Sequence, residues 1–197
     1  MNTSPVNRFE KRKQRTRDQL KQAAIALILE HGYDSVQVQD ITDRADLGRG
    51  TFYIHFSDKE DVVWRAVRDD FDALDTSLEM QFGQLPSPRY EYAVWLRMFE
   101  YASVHRDLFT TLLAGSGSAR LTERIQQYFA DRMERLIQDG QCLPQFKLPP
   151  RFVAEFTSGA LIRMFIWWLN NPNDYTPQQM AAQYFEMVFH FPPPQES

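Results

Sequence analysis

The chain has 197 residues, a formal net charge of −4 and a single cysteine, Cys142. This length suits one large domain or two small ones, the negative charge argues against a protein that coats nucleic acid nonspecifically, and one cysteine excludes an internal disulfide and the usual cysteine-rich zinc sites. No apolar segment follows Met1, and the longest apolar run, Met164 to Leu169, is too short to span a membrane, so we expect a soluble cytoplasmic protein.

The N-terminal residues are polar and strongly basic. Residues 1–14 show no apolar period, which predicts a flexible basic arm. Residues 1–68 carry a formal charge of +2, whereas residues 69–197 carry −6. A basic N-terminal segment followed by an acidic remainder is typical of a protein that contacts phosphate groups only through its N-terminal segment. A solvated tail without a binding role is the alternative interpretation.

The pattern next predicts two short helices between two longer ones. The first long helix begins at Thr16, which is expected to cap it, and ends at Gly32. Its apolar positions share one face: Leu20, Ala23, Ala24, Leu27 and Ile28. Short helices at about 37–45 and 49–55 follow, and a long fourth helix begins near Ser57. Because helices this short do not persist alone, their pairing across a tight turn predicts a helix-turn-helix, whose second helix enters the major groove of DNA.

Helical patterns also cover the rest of the chain. After a proline-containing break at 85–88, helices are predicted at about 89–104, 105–114, 119–139, 150–170 and 177–190, and no segment alternates as a strand does. We therefore expect an all-α protein, in which a long fourth helix joins an N-terminal three-helix DNA-binding domain to a second helical domain. The aromatic content and the family resemblance described below assign ligand binding and dimerisation to that second domain. The expected boundaries are a flexible arm at 1–14, the helix-turn-helix domain at 15–60, the effector and dimerisation domain at 61–191, and a disordered tail at 192–197.

The start of the second short helix carries the candidate base-reading residues. Arg49 suits the acceptors of guanine, and Thr51 can bond a base or touch a thymine methyl. Gly48 and Gly50 let the chain turn tightly and approach DNA without an intervening Cβ. Phe52 is expected, like Phe56, to pack inward and hold this helix in place.

Other residues nearby are candidates for phosphate contacts. Tyr53 and His55 offer a phenol and an imidazole on the expected DNA side. Lys59 lies in the first turn of the fourth helix, whose free N–H groups favour an anion, and Gln37 begins the first short helix. Taken singly, Tyr53 is more simply an ordinary half-buried aromatic and His55 a solvated surface residue, so the DNA-contact interpretation depends on their common spacing.

These residues resemble a known signature. Over about residues 16–65 the chain is similar to the N-terminal region of the TetR/AcrR family of bacterial transcriptional regulators, at Gly32-Tyr33, Ile41, Ala45, Gly50-Thr51-Phe52-Tyr53, His55-Phe56 and Lys59-Glu60. The resemblance implies a homodimer of all-helical subunits on a palindromic operator, usually a repressor, that commonly releases DNA when a small molecule enters the C-terminal domain. The chain departs from the family pattern at Gln37, Asp46 and Gly48, and Asp40 and Asp43 add negative charge near the DNA face.

The C-terminal two thirds contains 21 of the 27 aromatic residues. Aromatics at helical spacing mostly form core, but they can also line an apolar pocket between helices. The ligand-binding candidates are Trp95, Phe99, Phe109, Phe129, Met133, Phe165, Trp168 and His105. For the last two helices, dimerisation through a four-helix bundle competes with burial inside one subunit. The dimerisation candidates are Phe156, Ile162, Ile166, Met180, Tyr184, Met187 and Val188.

Two functional hypotheses follow, and a third is disfavoured. The first is a DNA-binding regulator, most simply a repressor, that an apolar or amphipathic small molecule releases from a palindromic operator. The second is a DNA-binding factor of the same fold that a protein partner controls without a small-molecule ligand. An enzyme is disfavoured because the sequence lacks a paired-carboxylate, Ser/His/Asp or Cys/His arrangement and a phosphate-binding loop. No cofactor and no metal site is expected.

Overall fold

A computed structural model describes residues 5–82, 88–114, 119–140, 147–171 and 175–189, and its regular elements there are all helical. The chain divides into two compact units, unit 1 with residues 1–69 and unit 2 with residues 70–197. The expected all-α fold is therefore confirmed. In chain order the helices are α1 (Pro5–His31), α2 (Val38–Arg44), α3 (Arg49–His55), α4 (Lys59–Phe82), α5 (Pro88–Val104), α6 (Arg106–Phe109), a π-helical turn (Thr110–Ala114), α7 (Ala119–Gln138), α8 (Pro150–Asn170) and α9 (Pro177–Phe189).

Helix α1 begins eleven residues earlier than expected, at Pro5 instead of Thr16. The prediction of a flexible arm is therefore wrong for residues 5–14, which are helical. Proline suits the first position of a helix, and the arginines, lysines and glutamines that follow are strong helix formers. They extend a helix that its packed C-terminal half has already nucleated. Thr16 does not cap the helix, since its hydroxyl donates to the carbonyl oxygen of Arg12 at 3.1 Å.

The packed half of α1 follows the sequence pattern. Its five predicted core residues are all buried, and Gly32 ends the helix with φ of +81°. The Gly32 N–H donates to the carbonyl of Ile28 at 2.8 Å, which closes the last turn. On α2, Ile41 is fully buried, whereas Val38 and Ala45 are half-buried.

The turn between α2 and α3 contains an aspartate with a positive φ. Asp46 has φ of 54°, which lies in the left-handed region that glycine adopts without strain. The Leu47 N–H donates to the carbonyl of Thr42 at 3.0 Å and so satisfies one of the last carbonyls of α2. Asp46 therefore makes this turn, as its side-chain chemistry allows.

Asp58, rather than Ser57, caps α4. The Asp58 carboxylate accepts the N–H of Asp61 at 2.8 Å, and the Asp61 carboxylate accepts the N–H of Ser57 at 3.1 Å. The first turns of α4 belong to unit 1, where Asp69 pairs with Lys21 of α1 at 2.8 Å. This packing moves the end of the N-terminal unit to residue 69, beyond the expected boundary at residue 60.

In unit 2, α7 packs on α8 and α5 packs on α9. The predicted helix at 105–114 is divided into α6 and a π-helical turn. The Thr111 hydroxyl of the turn donates to the carbonyl of Asp107 in α6 at 2.8 Å. Helix α8 is long and apolar enough, by length and composition, to cross a membrane, but core helices of globular proteins meet the same criteria. Half of its apolar window is buried in the protein, which favours the core interpretation.

Several expectations lie outside the described residues. These are the disordered tail at 192–197, residues 1–4 of the arm, and most of the predicted connections between helices, which fall at 83–87, 115–118, 141–146 and 172–174.

Candidate functional site

Helix α3 presents one face outward because its other face is anchored in unit 1. Phe52 is fully buried and Phe56 nearly so, with their ring centroids 5.7 Å apart. Arg49 is exposed at the N-terminal end, and Tyr53 and Ile54 expose 52% and 75% of their surface. An arginine, a phenol and an aliphatic side chain on one short exposed helix suit contacts with base edges and phosphates.

The two glycines beside Arg49 leave the start of α3 uncovered. Gly48 precedes the helix in an extended conformation, with φ of −75° and ψ of 149°, and Gly50 is exposed in its first turn. No heavy atom lies within 4 Å of a Cβ built on either residue, so neither glycine is required by packing inside unit 1. Thr51 is half-buried and so less accessible than Arg49.

The acidic residues near α2 mostly have internal roles. The Asp40 carboxylate accepts the backbone N–H of the exposed residue Gln37 at 2.7 Å and so caps α2. Asp43 accepts a hydrogen bond from the Gln39 amide at 2.6 Å. Gln37 is the exposed N-cap residue of α2 and stays a predicted DNA contact, whereas Asp40 serves the fold.

Lys59 has a partner within unit 1. Its Nζ donates to the carbonyl oxygen of Tyr33 at 2.6 Å and lies 4.2 Å from the centre of the Tyr33 ring. Burial lowers the pKa of this ammonium, and the nearby Asp34 carboxylate opposes that effect. Lys59 thus ties the start of α4 to the loop after α1, and its predicted contact with phosphate must use the remaining ammonium protons.

His55, at the last position of α3, lies near two cations of α1. It is half-buried, and its Nδ1 is a buried atom without a hydrogen-bond partner. Burial lowers the pKa of the imidazole, and the Arg17 and Lys13 cations lower it further. Sequence reasoning placed Lys13 in a flexible arm and assigned no specific contact to Arg17, because neither is among the residues that carry the family resemblance.

Unit 2 contains two small apolar cavities that share Phe71, Met98 and Phe129. The first has a volume of about 20 Å³ and the second about 10 Å³. A cavity needs about 10–15 Å³ to hold one water molecule, so a drug-sized ligand fits neither without movement of the walls. Helices α4, α5 and α7 line the first cavity, and its polar edge is the ion pair between Asp75 and Arg132.

Five of the eight predicted ligand-binding residues line these cavities. They are Trp95, Phe109, Phe129, Met133 and Phe165.

The other three predicted ligand-binding residues do not line either cavity. Phe99 is fully buried in an aromatic stack with Phe165, at 4.5 Å between ring centroids, and Trp168 is fully buried with its Nε1 donating to the carbonyl of Tyr175 at 2.8 Å. His105 is exposed beside Tyr101. Core packing and surface position thus exclude these three from the cavity walls.

Sequence reasoning missed the contribution of α4 and the polar edge of the first cavity. Phe71, Leu74 and Leu78 of α4 line this cavity, whereas the sequence predicted that helix only as the connection between the two domains. Arg132 and Asp75 carry no local signal, since they are far apart in sequence and meet only when α7 packs near α4. Next to them, Glu91 is buried, and its Oε1 has no hydrogen-bond partner.

An apolar groove of about 350 Å³ runs along the outer face of α8 and α9. Phe156 exposes 71% of its surface here and Met187 exposes 70%. Phe152 and Leu148, which sequence reasoning missed, are also exposed along it. A concentration of large apolar side chains on one surface marks a site of association.

The predicted dimerisation residues divide between this groove and the interior of unit 2. Phe156, Tyr184, Met187 and Val188 line the groove. Ile162 and Met180 are buried within the subunit, so the prediction that they supply interface surface is wrong. The helical pattern placed them on apolar faces, but α8 and α9 have two such faces, and packing with α5 and α7 covers one of them. Ile166 is half-buried outside the groove lining.

Two family models match the chain. The model described as bacterial regulatory proteins, tetR family, matches residues 20–66, which include α2 and α3. The model described as transcriptional regulator C-terminal region matches residues 92–190, half of the chain. The first therefore covers the helix-turn-helix and the second covers most of unit 2.

Individual proteins agree with these models. The HTH-type transcriptional repressor KstR2 of Mycolicibacterium smegmatis is 24% identical over 186 residues, 87% of this chain and 88% of that protein. YuxN of Bacillus subtilis, an uncharacterized HTH-type transcriptional regulator, is 29% identical over 107 residues, and the match spans 36% of its length. The crystal structure of the regulator FadR from Bacillus subtilis in complex with stearoyl-CoA shares the fold, with a TM-score of 0.60, 19% identity and coverage of 87% of this chain and 96% of that chain.

Proposed function

The chain belongs to the TetR family of bacterial transcriptional regulators, and on that premise we propose that it represses transcription as a homodimer on a palindromic operator and is released by a small effector. The observation that carries the proposal is the outer face of α3, where Arg49 and Tyr53 are exposed while Phe52 is fully buried beneath them. Buried anchors hold a helix of seven residues in a fixed orientation, which base reading requires. We place the protein in the cytoplasm, on the nucleoid when bound.

Selection of bound duplexes from a random pool tests DNA recognition. The selected sequence is expected to be a palindrome whose half-sites are about 34–36 Å apart, one helical turn of DNA. Its affinity should exceed that for random DNA by about 10³-fold or more at physiological salt. Equal affinity for the selected and the random duplexes, measured across a range of salt concentrations, contradicts the proposal.

The groove on α8 and α9 supports the homodimer. Its exposed residues Phe152, Phe156 and Met187 leave an apolar surface that a second copy of these helices can cover in a four-helix bundle. A two-fold dimer places two copies of α3 with the symmetry of a palindrome. Repression follows because an occupied operator blocks the promoter that contains it.

The two cavities of unit 2 support the effector part of the proposal. The first lies among α4, α5 and α7, the second also borders α6, the π-helical turn and α8, and apolar side chains form most of their walls. We propose an apolar or amphipathic effector that separates these helices as it binds, because the closed cavities hold about one water molecule each. FadR of Bacillus subtilis, which shares this fold, has been crystallised with stearoyl-CoA, a ligand with a long apolar chain.

The small size of the cavities also favours a second candidate, control by a protein partner without a small-molecule ligand. Fractionated cell extract separates the two. An ultrafiltrate that contains only small molecules should release the protein from its operator if the first proposal holds. Release by the retained macromolecules, and not by the filtrate, supports the protein partner instead.

A further inference from the structure

Lys13, Arg17 and His55, which we call the basic cluster, lie together in unit 1 without an anionic partner. The two cations act on the imidazole, as the lowered pKa of His55 shows. Within the described residues, neither the Lys13 nor the Arg17 side chain has an ion pair, and Arg17 Nε and His55 Nδ1 are buried atoms without a hydrogen-bond partner. Buried polar atoms are normally satisfied, and all three side chains are also partly exposed, so an anion outside unit 1 can approach the basic cluster.

The acidic side chains of unit 1 that bear on this question already have other partners. Asp18, the acidic residue next to Arg17, accepts hydrogen bonds from Gln14 at 3.0 Å and Lys21 at 2.7 Å. Glu30 pairs with Arg44, and Asp61 pairs with Arg65 at 3.0 Å. These carboxylates are therefore used elsewhere, and Glu10, which lies one turn before Lys13 on α1, is exposed and forms no ion pair with Lys13 or Arg17.

Lys13 and Arg17, the two members of the basic cluster on α1, lie on the face of that helix that points into unit 1. At 3.6 residues per turn, Lys13 and Arg17 share a face with the buried residues Leu20 and Ala24, seven positions further along. Arg15 lies roughly 160–200° around the helix from both, on the side of the exposed residues Gln19 and Gln22. The two cations therefore lie on the inward side of α1, close enough to His55 at the end of α3 to affect its imidazole.

Position along α3 decides what kind of anion can be reached. His55 is six residues after Arg49, a rise of about 9 Å along the helix axis. The major groove is about 12 Å wide, so a helix that inserts Arg49 toward the bases brings His55 to the edge of the groove, where the sugar-phosphate backbone runs. Lys13 and Arg17 precede residue 20, where the match to the family's N-terminal model begins, so the match assigns them no role.

We propose that the basic cluster holds a phosphate of the DNA backbone at the edge of the groove that α3 enters. This inference rests on the proposed function, since it requires α3 to lie in the major groove. The phosphate accepts hydrogen bonds from the parts of the Arg17 and His55 side chains that reach the surface, and its charge balances that of Lys13 and Arg17. Such a contact sets the register of the protein on DNA and adds affinity without reading sequence.

The salt dependence of DNA binding tests the proposal. Fluorescence anisotropy between about 50 and 200 mM salt gives the slope of log K against log salt, which changes by about 0.9 for each phosphate that the protein no longer neutralises. Arg17→Gln and Lys13→Gln in the full chain should each make the slope shallower by about that amount per subunit. Both variants should weaken selected and random duplexes by the same factor, because the interaction is with phosphate.

Arg15→Gln is the matched control, with the same loss of charge on the same helix but on the opposite face. It should leave the slope unchanged if the cluster is a specific site. An equal change for Arg15→Gln and Arg17→Gln, or an unchanged slope for Arg17→Gln, overturns the inference. A wild-type chain that binds all duplexes alike, yet loses slope only with Arg17→Gln, supports the phosphate contact and refutes the operator-specific function.

An NMR titration of His55 gives a second measurement that needs no knowledge of the operator. Because the Arg17 cation contributes to the lowered pKa of His55, Arg17→Gln should raise that pKa and Arg15→Gln should not. Addition of duplex DNA to the wild type should raise the pKa as well, since a phosphate favours the imidazolium form. A His55 pKa that DNA leaves unchanged contradicts a phosphate contact at this site.

Discussion

At the residue scale, Lys59 shows that contacts with neighbouring residues can restrict the binding role that a side chain's chemistry predicts. Its position at the start of α4 favours an anion-binding role, yet its ammonium is bonded to the carbonyl of Tyr33 at 2.6 Å. His55 is the opposite case, since the sequence predicts a phosphate contact from its spacing alone and its surroundings add two unpaired cations. Side-chain chemistry therefore identifies what a residue can bind, and the contacts around it determine what is still available.

Arg49 is the residue that we expect to read sequence. Arg49→Ala should weaken binding to the selected operator by about 1–3 kcal/mol, because the variant cannot form the bidentate hydrogen bonds to guanine. Binding to random DNA should weaken less, so the ratio of the two affinities falls. Arg97→Ala, at an exposed arginine of α5, is the control and should leave both affinities unchanged. Equal weakening on both duplexes would assign Arg49 to the phosphate backbone.

Glu91 should make stability fall as the pH rises. Burial raises the pKa of its carboxyl from 4.5 to about 7, against the opposing effect of the Arg132 cation. Below about pH 4.5 both folded and unfolded chains hold the proton, so the group has no effect on stability. Between about pH 4.5 and 7 the unfolded chain ionises first, and the folded state loses stability on the order of 3 kcal/mol, a loss that persists at higher pH.

Glu91→Gln removes this titration and provides the measurement. Urea unfolding should show the variant more stable than the wild type at pH 7.5 and nearly equal to it at pH 4.5. Glu123→Gln, at an exposed position of α7, controls for a general effect of charge. A stability difference between the Glu91 variant and the wild type that is the same at both pH values argues against a raised pKa.

At the scale of elements, α1 and α3 show what local pattern predicts and what it misses. The apolar face of α1 and its end at Gly32 follow directly from the spacing of residues. Its early start at Pro5 does not, because a run of basic and polar residues is compatible with both a helix and a disordered arm. Similarly, α3 is too short to form alone and exists because Phe52 and Phe56 are buried.

Two glycines at element ends should respond oppositely to alanine. Gly32 has φ of +81°, so Gly32→Ala should cost about 1–2 kcal/mol of stability through backbone strain alone. Gly50 lies inside α3, where alanine should stabilise the helix by roughly 0.5–1 kcal/mol. Gly50→Ala should nevertheless weaken operator binding, because its Cβ would lie between α3 and DNA.

Thermal unfolding and operator binding, measured on both variants, check this pair. Since neither added Cβ meets a heavy atom within 4 Å, steric overlap inside unit 1 does not contribute to the difference in stability between the two variants. A gain in stability for Gly32→Ala would contradict the left-handed conformation, and full operator affinity for Gly50→Ala would contradict a close approach of the backbone to DNA.

At the scale of the whole molecule, association depends on a surface that no single helix predicts. Helices α8 and α9 are apolar on more than one side, and burial inside unit 2 accounts for Ile162 and Met180 but leaves Phe156 and Met187 exposed. Occupation of a two-fold operator requires a two-fold protein. The proposed regulation therefore depends as much on this groove as on α3.

Charges placed in the groove should separate the subunits. Phe156→Glu and Met187→Glu should each convert a dimer to a monomer in sedimentation velocity, because a carboxylate loses its water when a second copy covers it. Operator affinity should fall in parallel, since one half-site then binds alone. Val104→Glu is the control, at an apolar residue of α5 that is 78% exposed and lies outside the groove lining. Monomeric wild-type protein, or dimeric groove variants, would refute this interface.

The sequence alone determined most helical elements of the described chain, apart from the start of α1 and the division of the helix predicted at 105–114. It also determined the buried anchors of α3 and the turn between α2 and α3, since each depends on the spacing or conformation of residues close together in the chain. Only the tertiary structure decided which aromatics line the cavities, which apolar faces of α8 and α9 stay open, and which cations lack a partner. Those properties depend on residues distant in sequence, such as Asp75 with Arg132 and Arg17 with His55. Periodicity shows that a face is apolar or basic, whereas packing determines what covers it.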